Sequence, residues 1–453
     1  MLPTIATGNV ASAIGGGYEV ANSCRWNRAD SPYMHQTFSG AGNRDKWTFS
    51  CWVKKCSNGV EQRLLTTSDN ATYDDNIRFN SDDTFNIICN GATVLKTNRL
   101  FRDNSAFYHI CVIWDSGNGT SGNRCLLYVN GIRETSFATE SYPSSGQDSH
   151  INNNTPHYIG VTNATANSHH LHGYLAEVVF QNDSATTPVD KFGEFDSDSP
   201  TIFKPIDVSG LTFGTNGFYL DFEDSSNLGN DANGGTDFAE VNIAAVHQAT
   251  DTPTNNFATL NPLFHGVLQP TFREGNLEVE DTNQDTYESS YSTIQVPTSG
   301  KWYWEVKNAS GADIDGAVNE GAIGGVYESR IKTVQNPSRI SYTTTELSKW
   351  ISGGTANLDD GEIAGILVDR DAAELKLYVE DSLYHTFTSV TAEPIFPFLL
   401  TFGNGGTCKL QINFGNPIHS ISSGNQDPNG YGNFEFATKS GYALCSKNLA
   451  EQG

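Results

Sequence analysis

Short runs in which apolar and polar residues alternate, separated by polar turns, fill most of the chain. The clearest run in the first half covers residues 46–53 (KWTFSCWV). Its alternate positions place Trp47, Phe49, Cys51 and Val53 on one side and Thr48, Ser50 and Trp52 on the other. Successive side chains of a β-strand point to opposite faces, so this period of two predicts a half-buried strand.

The same alternation recurs in two blocks of the chain. In the first block it predicts strands over residues 76–79, 84–89, 107–114, 124–129, 157–161 and 173–180. In the second block it predicts strands over residues 301–306, 322–327, 362–368, 375–379, 395–402 and 409–414. Asn130-Gly131, after one of these runs, is a dipeptide that type I′ hairpin turns prefer. Short strands joined by polar turns are typical of antiparallel sandwiches, so we predict an all-β protein with two β-sandwiches.

Residues 211–263 lie between the two blocks and match neither. Within and just before them, residues 217–222 predict a strand, whereas residues 189–195 and 243–248 predict short helices. Flexible linkers lack apolar segments of this kind. We therefore expect a structured connector with five side chains packed against one or both sandwiches: Phe218, Leu220, Phe222, Phe238 and Phe257.

These patterns predict five regions along the chain: an N-terminal arm over residues 1–22, a first sandwich over 23–185, a connector over 186–271, a second sandwich over 272–417 and a C-terminal segment over 418–453. The arm is rich in glycine and alanine and leaves two alternatives open. It either docks onto a neighbouring subunit or is a disordered terminus.

Charge and cysteine content narrow the possible partners and compartment. The chain has 27 basic and 52 acidic residues, a net charge of −25, and no run of clustered lysine and arginine. Because binding to a nucleic acid backbone needs clustered basic residues, we expect no nucleic-acid partner. No apolar run reaches 18 residues, so we expect no membrane insertion. The eight cysteines lack a C-x-x-C pair, and several lie in apolar runs, which favours free thiols and assembly in a reducing cytoplasm.

A polar loop after residue 222 is the best candidate for a metal site. Asp224, Asn227, Asp231 and Asp237 offer the hard oxygen ligands that Ca²⁺ prefers, although the EF-hand spacing is missing. The alternative is a loop in which these side chains form turns with their own backbone. We expect no other cofactor.

Catalytic patterns are weak. A glycosidase needs two carboxylates that flank the scissile bond, and the nearest text, Glu194 and Asp196, lacks a matching third acid. Glu177 stands alone in its run. His169, His170 and His172, with His157 upstream, could bind a transition metal, but an ordinary polar segment before a strand fits them as well. We therefore expect a protein that is not an enzyme.

Two family resemblances sharpen this interpretation. GKWYWEV, AIGGVY, GEIAGILVDRDAAELKLYV, PFLLTFGNGG and INFG stand in the order found in SPRY domains. WTFSCWVKK, FYHICVIWD, LLYVNGIRE, HYIGVT and LHGYLAEVVF resemble the laminin-G, concanavalin A-like sandwich. The resemblance implies two jelly-roll sandwiches. In SPRY domains loops at one end form the ligand surface, which implies Arg330, Tyr342 and Trp350 as anchors, with a core position as the alternative for Trp350.

The order of the two domains, with GTNGFYLDFEDSSNLGND and DTPTNNFATLNPL between them, resembles virion proteins of marine tailed bacteriophages. This resemblance implies a structural protein of the tail or capsid surface, assembled in the host cytoplasm. Its expected partners are other virion proteins, further copies of itself in a homo-oligomer, with a trimer favoured, and a host-surface glycan or protein. The alternatives are a capsid head fibre or decoration protein that makes mainly protein contacts, and a polysaccharide-degrading enzyme.

Overall fold

The computed structural model describes residues 17–70, 73–266, 268–282, 288–311, 319–329, 347–350, 358–403 and 406–452. The chain divides between Thr254 and Asn255 into two compact parts, which we call the N-terminal unit and the C-terminal unit. Both are built almost entirely from antiparallel β-sheet. The predicted all-β class with two jelly-roll sandwiches is therefore confirmed.

In the N-terminal unit the strands are β1 (Ser23–Trp26), β2 (Tyr33–Thr37), β3 (Lys46–Lys55), β4 (Gln62–Asn70), β5 (Tyr73–Phe79), β6 (Phe85–Cys89), β7 (Ala92–Thr97), β8 (Tyr108–Asp115), β9 (Cys125–Val129), β10 (Ile132–Arg133), β11 (Phe137–Glu140), β12 (Pro156–Ile159), β13 (Gly173–Asn182), β14 (Gly193–Phe195), β15 (Phe203–Pro205), β16 (Phe218–Leu220), β17 (Ala239–Val241) and β18 (Gln248–Ala249). Short 3-10 helices cover Arg28–Asp30, Ser121–Asn123 and Ala245–His247.

In the C-terminal unit the strands are β19 (Leu260–His265), β20 (Thr271–Arg273), β21 (Glu278–Asp281), β22 (Glu288–Ser292), β23 (Lys301–Asn308), β24 (Asn319–Tyr327), β25 (Leu347–Trp350), β26 (Ile363–Asp369), β27 (Glu374–Val379), β28 (Ser382–Thr388), β29 (Ile395–Gly403), β30 (Cys408–Asn413) and β31 (Tyr442–Ala443). A 3-10 helix covers Glu274–Asn276, and α1 covers Ser446–Gln452.

Two large sheets form the N-terminal sandwich. The first has the order β10-β9-β8-β3-β13-β1-β18, with β16 also paired to β13, and the second has the order β11-β7-β6-β5-β4-β12-β2-β17. Their facing sides enclose one core, to which β3 contributes Trp47, Phe49, Cys51 and Val53. Trp52 packs on the opposite, outward side of the first sheet. The predicted alternation of this strand is confirmed.

The C-terminal sandwich follows the same plan. One sheet has the order β20-β21-β30-β23-β26-β27-β28, with β31 beside β23, and the other has the order β19-β22-β29-β24-β25. Strand β23 sends Trp302, Trp304 and Val306 into the core. Tyr303 of the same strand packs on the outward side, as the alternation predicts.

The segments predicted as a connector and a tail belong to the sandwiches. Phe218, Leu220, Phe222 and Phe238 join the core of the N-terminal unit, as predicted. Phe257 joins a cluster in the C-terminal unit, together with three residues from the last part of the chain: Phe434, Ala443 and Cys445. Tyr18 and Val20, from the end of the predicted arm, pack on the outward side of the first sheet.

Local predictions have mixed outcomes. Asn130 and Gly131 both have positive φ, 48° and 75°, so the predicted type I′ turn is confirmed. A 3-10 helix lies inside the predicted helix 243–248. The predicted helix over residues 189–195 is wrong, because β14 and β15 form a small hairpin there in which Phe195 packs edge-on against Phe203 at 5.2 Å.

The eight cysteines are all buried and carry free thiols, as predicted. Burial raises the pKa of the Cys56 thiol to about 12, which leaves it without thiolate character at neutral pH. Among the described residues, no helix is long and apolar enough to cross a membrane.

Candidate functional site

A row of five side chains crosses the second sheet of the N-terminal unit. Backbone pairing places His35 opposite Tyr158, Tyr158 opposite Thr66, Thr66 opposite Asn76, and Asn76 opposite Ile88. We call these five residues the outward row. Neighbouring strands in a sheet lie about 4.8 Å apart, so the row spans roughly 19 Å, the length of several linked sugar rings.

The outward direction of the row follows from its neighbours in sequence. Met34, Ile159, Leu65, Ile77 and Ile87 stand next to the row residues on the same five strands, and all five belong to the core between the sheets. Because successive side chains of a strand point to opposite faces, the row points away from that core. It therefore lies on the outer surface of the sandwich.

Three rings form the first half of this surface. Tyr33 lies beside His35, with ring centroids 5.8 Å apart, and Tyr158 lies 6.0 Å from His35 and 6.2 Å from Tyr33. Tyr33 and His35 are half-buried, and Tyr158 is buried, with 9% of its surface accessible. Exposed aromatic faces beside polar groups are the usual composition of a ligand-binding surface.

The next two residues of the row, Thr66 and Asn76, are polar, and their side chains lack hydrogen bonds among the described residues. Thr66 and Asn76 are fully buried, yet the Thr66 hydroxyl and both amide atoms of Asn76 have no hydrogen-bond partner among the described residues. On the next strand, the Asn86 side-chain oxygen is in the same situation. Buried polar groups nearly always have partners, so a concentration of unsatisfied ones marks a place where a polar ligand or water belongs.

An ion pair lies over this polar half. Arg63 Nη1 contacts Asp74 Oδ2 at 3.1 Å. Arg63 pairs with Arg78 across the two strands, on one side of the Thr66–Asn76 pair, and Asp74 pairs with the strand on the other side. The bridge therefore spans Thr66 and Asn76, which accounts for their burial on an outward face.

The predicted calcium ligands are only partly brought together. Asn227 Nδ2 donates to Asp237 Oδ2 at 2.8 Å, and the Asp231 N–H donates to Asp237 Oδ1 at 3.0 Å. Asp224 instead accepts hydrogen bonds from the backbone and hydroxyl of Ser226. Where the chain is described, no group of three or more His, Cys, Asp or Glu side chains could hold a metal ion.

Asp231 has a structural use for its carboxylate. It accepts the backbone N–H groups of Tyr219, Asn233 and Gly235 at 2.8, 3.0 and 3.1 Å. Burial raises the pKa of Asp231, although these hydrogen bonds act in the opposite direction. This geometry is that of the alternative interpretation, a loop closed by its own aspartate side chains.

The acidic candidates for catalysis, Glu194 and Asp196, form ion pairs with a lysine. Lys204 Nζ lies 3.2 Å from Glu194 and 3.5 Å from Asp196. Asp196 is buried, which opposes its ionised form, but backbone N–H groups and Lys204 outweigh burial and lower its pKa. Asp196 therefore lacks the raised pKa that a general acid needs at neutral pH.

Glu177 does have a raised pKa. Tyr219 donates its hydroxyl to the Glu177 carboxylate at 2.9 Å, and Tyr18 does so at 3.1 Å. Burial raises the pKa of Glu177 to about 8, although the two phenols act in the opposite direction. The residue has a positive φ of 50° at a β-bulge in β13. Its carboxyl holds Tyr18 and Tyr219 on the outward side of the first sheet.

The four histidines point to different partners. His157 Nε2 accepts the N–H of Asn152, and His172 Nδ1 accepts the N–H of Arg28. His170 Nδ1 bonds to the backbone oxygen of Pro32, and His169 lies near Glu61. Of the predicted SPRY anchors, Arg330 and Tyr342 lie outside the described residues. Trp350 lies on β25 opposite Ala322, and its side chain also lies outside the described part.

Sequence reasoning missed the outward row. Its signal is present in YMHQT, residues 33–37, where Tyr33 and His35 alternate with Met34 and Gln36. Two aromatic rings on the side opposite a buried methionine indicate an aromatic outer face. The partner strands could not be identified from the sequence, so Tyr158, Thr66 and Asn76 could not be joined to this pair.

Comparison with known proteins places this site in a known type of domain. Residues 31–188 match the Laminin_G_3 family model, described as the concanavalin A-like lectin/glucanases superfamily. All five residues of the outward row lie within the matched range. The N-terminal unit therefore contains a concanavalin A-like domain.

Three solved structures to which the chain is similar have low sequence identity to it. The heptameric SAP-like pentraxin from Limulus polyphemus is 15% identical, over 38% of this chain and 81% of the pentraxin, with a TM-score of 0.29. The SPRY domain of human HERC1 is 9% identical, over 34% of this chain and 96% of that domain, with a TM-score of 0.25.

A Bacteroides ovatus protein described as carbohydrate-binding is 14% identical, with a TM-score of 0.36. The match covers 49% of this chain and 58% of that protein, so it spans a little over half of the Bacteroides protein. A search of curated proteins finds no match.

Proposed function

We propose that this protein is a non-enzymatic glycan-binding protein and that the outward row is its binding surface. One observation carries the proposal: three clustered rings stand beside buried polar groups that lack hydrogen-bond partners among the described residues, along one outward face. Sugar rings present apolar faces, which stack on aromatic rings, and hydroxyl groups, which pair with amides and hydroxyls. The rings match the apolar faces of a sugar, and Thr66 and Asn76 match its hydroxyl groups once the Arg63–Asp74 ion pair above them opens.

The place of this glycan-binding protein in a larger assembly is proposed from the sequence resemblance to phage structural proteins. We propose that the chain is a homo-oligomeric component of a virion surface, on a tail fibre or on the capsid, where repeated copies would raise the avidity of weak glycan contacts. The carboxylates of Glu177, Glu194 and Asp196 already contact Tyr219 or Lys204, which supports binding rather than hydrolysis. In a virion the glycan would belong to the host cell surface.

A glycan array with the full chain tests the binding surface. After the array identifies a ligand, its affinity is measured for the double variant Tyr33→Ala/His35→Ala. We expect the affinity to fall by about tenfold or more, equivalent to about 1.4 kcal/mol, because the stacking surface is lost while the core side of β2 stays intact.

Tyr384→Ala is the matched control, since Tyr384 is a partly exposed aromatic residue on strand β28 of the C-terminal unit. It should leave the affinity within about twofold of the original protein. If the array gives no ligand, or if the double variant binds as well as the control, the proposal is wrong.

A further inference from the structure

Four side chains that carry or can carry positive charge gather around Glu61, beside the outward row. Arg63 Nε lies 2.8 Å from Glu61 Oε1, and Arg78 Nη1 lies 3.1 Å from the same oxygen. His169 Nδ1 lies 3.8 Å from it. Arg28 Nη2 donates to the backbone oxygen of Glu61 at 3.4 Å. We call Arg28, Arg63, Arg78 and His169 the cationic cluster.

The cluster has more positive than negative charge. Arg63 and Arg78 contact the carboxylates of Glu61 and Asp74, whereas Arg28 donates to a backbone oxygen, so the three guanidinium groups exceed these two carboxylates by one positive charge even when His169 is neutral. Burial lowers the pKa of Arg78, and the adjacent Arg63 lowers it further. In a chain with a net charge of −25, such a local excess is against the general trend.

The close approach of two guanidinium groups destabilises the sheet unless an anion lies between them. Arg63 and Arg78 are directly opposite each other on neighbouring strands, and like charges in that position destabilise a sheet. Glu61 lies in the loop before β4 and holds both guanidinium groups. It shows that the cluster accepts a carboxylate, for which guanidinium groups are well shaped.

The cluster is continuous with the outward row. Arg63 Nη1 forms the ion pair with Asp74, and this ion pair spans Thr66 and Asn76. A sugar ring on the polar half of the row would therefore place a substituent next to Arg63 and Arg78. Charges interact strongly only within about 8 Å at physiological salt, so the nearby cluster outweighs the distant acidic residues.

We propose that the cationic cluster binds the carboxylate of a uronic acid, so that the ligand of the outward row is an acidic polysaccharide. This inference rests on the proposed glycan-binding function and names the class of glycan. In the free protein the Glu61 carboxylate lies against the guanidinium groups of Arg63 and Arg78 and accepts a hydrogen bond from Arg78, and the uronate carboxylate takes its place on binding. No covalent step is involved.

Binding of uronate oligomers to the full chain tests the inference. The probes are oligomers of galacturonate and of alginate, each compared with its methyl ester, which keeps the rings but removes the charge. We expect each ester to bind about tenfold more weakly or worse, the usual value of a hydrogen bond to a charged group. Acetate at the same carboxylate concentration should not compete, because it lacks the ring that contacts the row.

Two variants of the cluster should change the affinity in opposite directions. Arg78→Gln removes a charged donor to the uronate carboxylate and should weaken binding by about tenfold or more. Glu61→Gln removes the competing carboxylate and should strengthen binding severalfold. Arg102→Gln is the matched control, because this exposed arginine pairs with Asp83 outside the cluster and its loss changes the net charge equally.

The outcomes separate this inference from the proposed function. Equal binding of acid and ester, or a Glu61→Gln variant that binds more weakly while remaining folded, overturns the uronate inference. If a neutral glycan then binds and depends on Tyr33 and His35, the outward row remains the binding surface. If no glycan binds at all, both proposals are overturned.

Discussion

The two sandwiches share a plan but differ in what they present on comparable faces. In the N-terminal unit the second sheet carries His35, Tyr158, Thr66 and Asn76 outward. In the C-terminal unit, the outward face of the five-stranded sheet carries a buried apolar cluster: Tyr291, Ala322, Val326, Phe396, Phe398 and Leu400. The same strand geometry therefore supports a polar, ring-bearing face in one unit and an apolar one in the other. Fold alone does not locate function.

The other sheet of each unit shows a similarity. In the N-terminal unit, Phe192, Phe213 and Tyr219 from the segment after β13 cover the outward face of the first sheet. In the C-terminal unit, Phe434 and Cys445 from the last part of the chain cover the outward side of β23. Each sandwich thus uses a later segment of its own chain as a third layer.

We call these two later segments the covers. The largest expected effects on stability come from removing an aromatic ring from either cover. Phe213→Ala deletes a ring stacked on Tyr219, with centroids 6.1 Å apart, and Phe434→Ala deletes a ring packed edge-on against Tyr303 at 5.3 Å. Each should cost about 3–5 kcal/mol, because a large cavity opens beneath the cover. Hydrogen exchange should report lost protection in the N-terminal unit for Phe213→Ala and in the C-terminal unit for Phe434→Ala.

Leu383→Ala is the control, since this side chain is 58% exposed and its loss should change the free energy by less than about 0.5 kcal/mol. If Phe213→Ala or Phe434→Ala behaves like this control, the covers are loosely attached segments and the three-layer comparison fails.

A buried glutamate under each cover gives the next contrast. Glu177 accepts only phenol hydroxyls in the contacts described above, and hydroxyls can rotate to accept as well as donate. Glu305 accepts the backbone N–H groups of Glu435 and Phe436, at 3.0 and 2.8 Å, one on each carboxylate oxygen. Burial raises the pKa of Glu305, against the effect of these hydrogen bonds. The two backbone N–H donors at Glu305 are fixed, so both of its side-chain oxygens must be acceptors. The phenol hydroxyls at Glu177 can rotate, so they set no such requirement.

The two glutamine variants should therefore change the free energy of unfolding in opposite directions. Glu305→Gln places an amide NH₂ against a backbone N–H and should destabilise the C-terminal unit by about 1–3 kcal/mol. Glu177→Gln should leave the stability unchanged near pH 4. The folded-state pKa of about 8 lies above the unfolded value of about 4.5, so the original protein loses stability as pH rises between these two values.

The variant lacks this loss and should be the more stable protein at pH 8, by up to about 1.4 kcal/mol for each pH unit between the two pKa values. Urea denaturation at several pH values measures the difference. A difference between Glu177→Gln and the original protein that is constant across this range would contradict the buried, protonated state of Glu177.

The sequence predicts the fold well and the site poorly, for a physical reason. Alternation within one strand decides which side chains enter the core, and this local signal correctly assigned Trp47 and Phe49. The outward row and the cationic cluster depend on strand pairing. Arg28, Arg63, Arg78 and His169 are far apart in sequence, so a search for runs of basic residues finds nothing.

The covers were predicted only in part for the same reason. The apolar residues of GFYLDF indicated packing, and Phe218 and Leu220 do enter the core. Residues 189–195 gave a helical pattern because Val189, Phe192 and Phe195 are spaced by three. That spacing instead serves a hairpin whose rings pack against the first sheet, an outcome that tertiary contacts decide.

The smallest expected effects concern the aspartates that hold the covers. Asp231 accepts three backbone N–H groups in the N-terminal unit. Asp427 in the C-terminal unit accepts those of Asn429, Tyr431 and Ala443 and also the amide of Asn448. Asp231→Asn should cost about 1 kcal/mol, and Asp427→Asn should cost more because it faces one further donor. Asp224→Asn, at an exposed position, serves as the control and should have no measurable effect.

Calcium separates the two interpretations of this loop. To coordinate Ca²⁺, Asp231 would have to release N–H groups that it already binds, and the unpaired donors would offset the gain. We therefore expect Ca²⁺ at up to roughly 1 mM, the range of weak extracellular sites, to leave the melting temperature unchanged. A calcium-dependent rise that Asp231→Asn and Asp237→Asn abolish would establish a metal site and make the two covers different in kind.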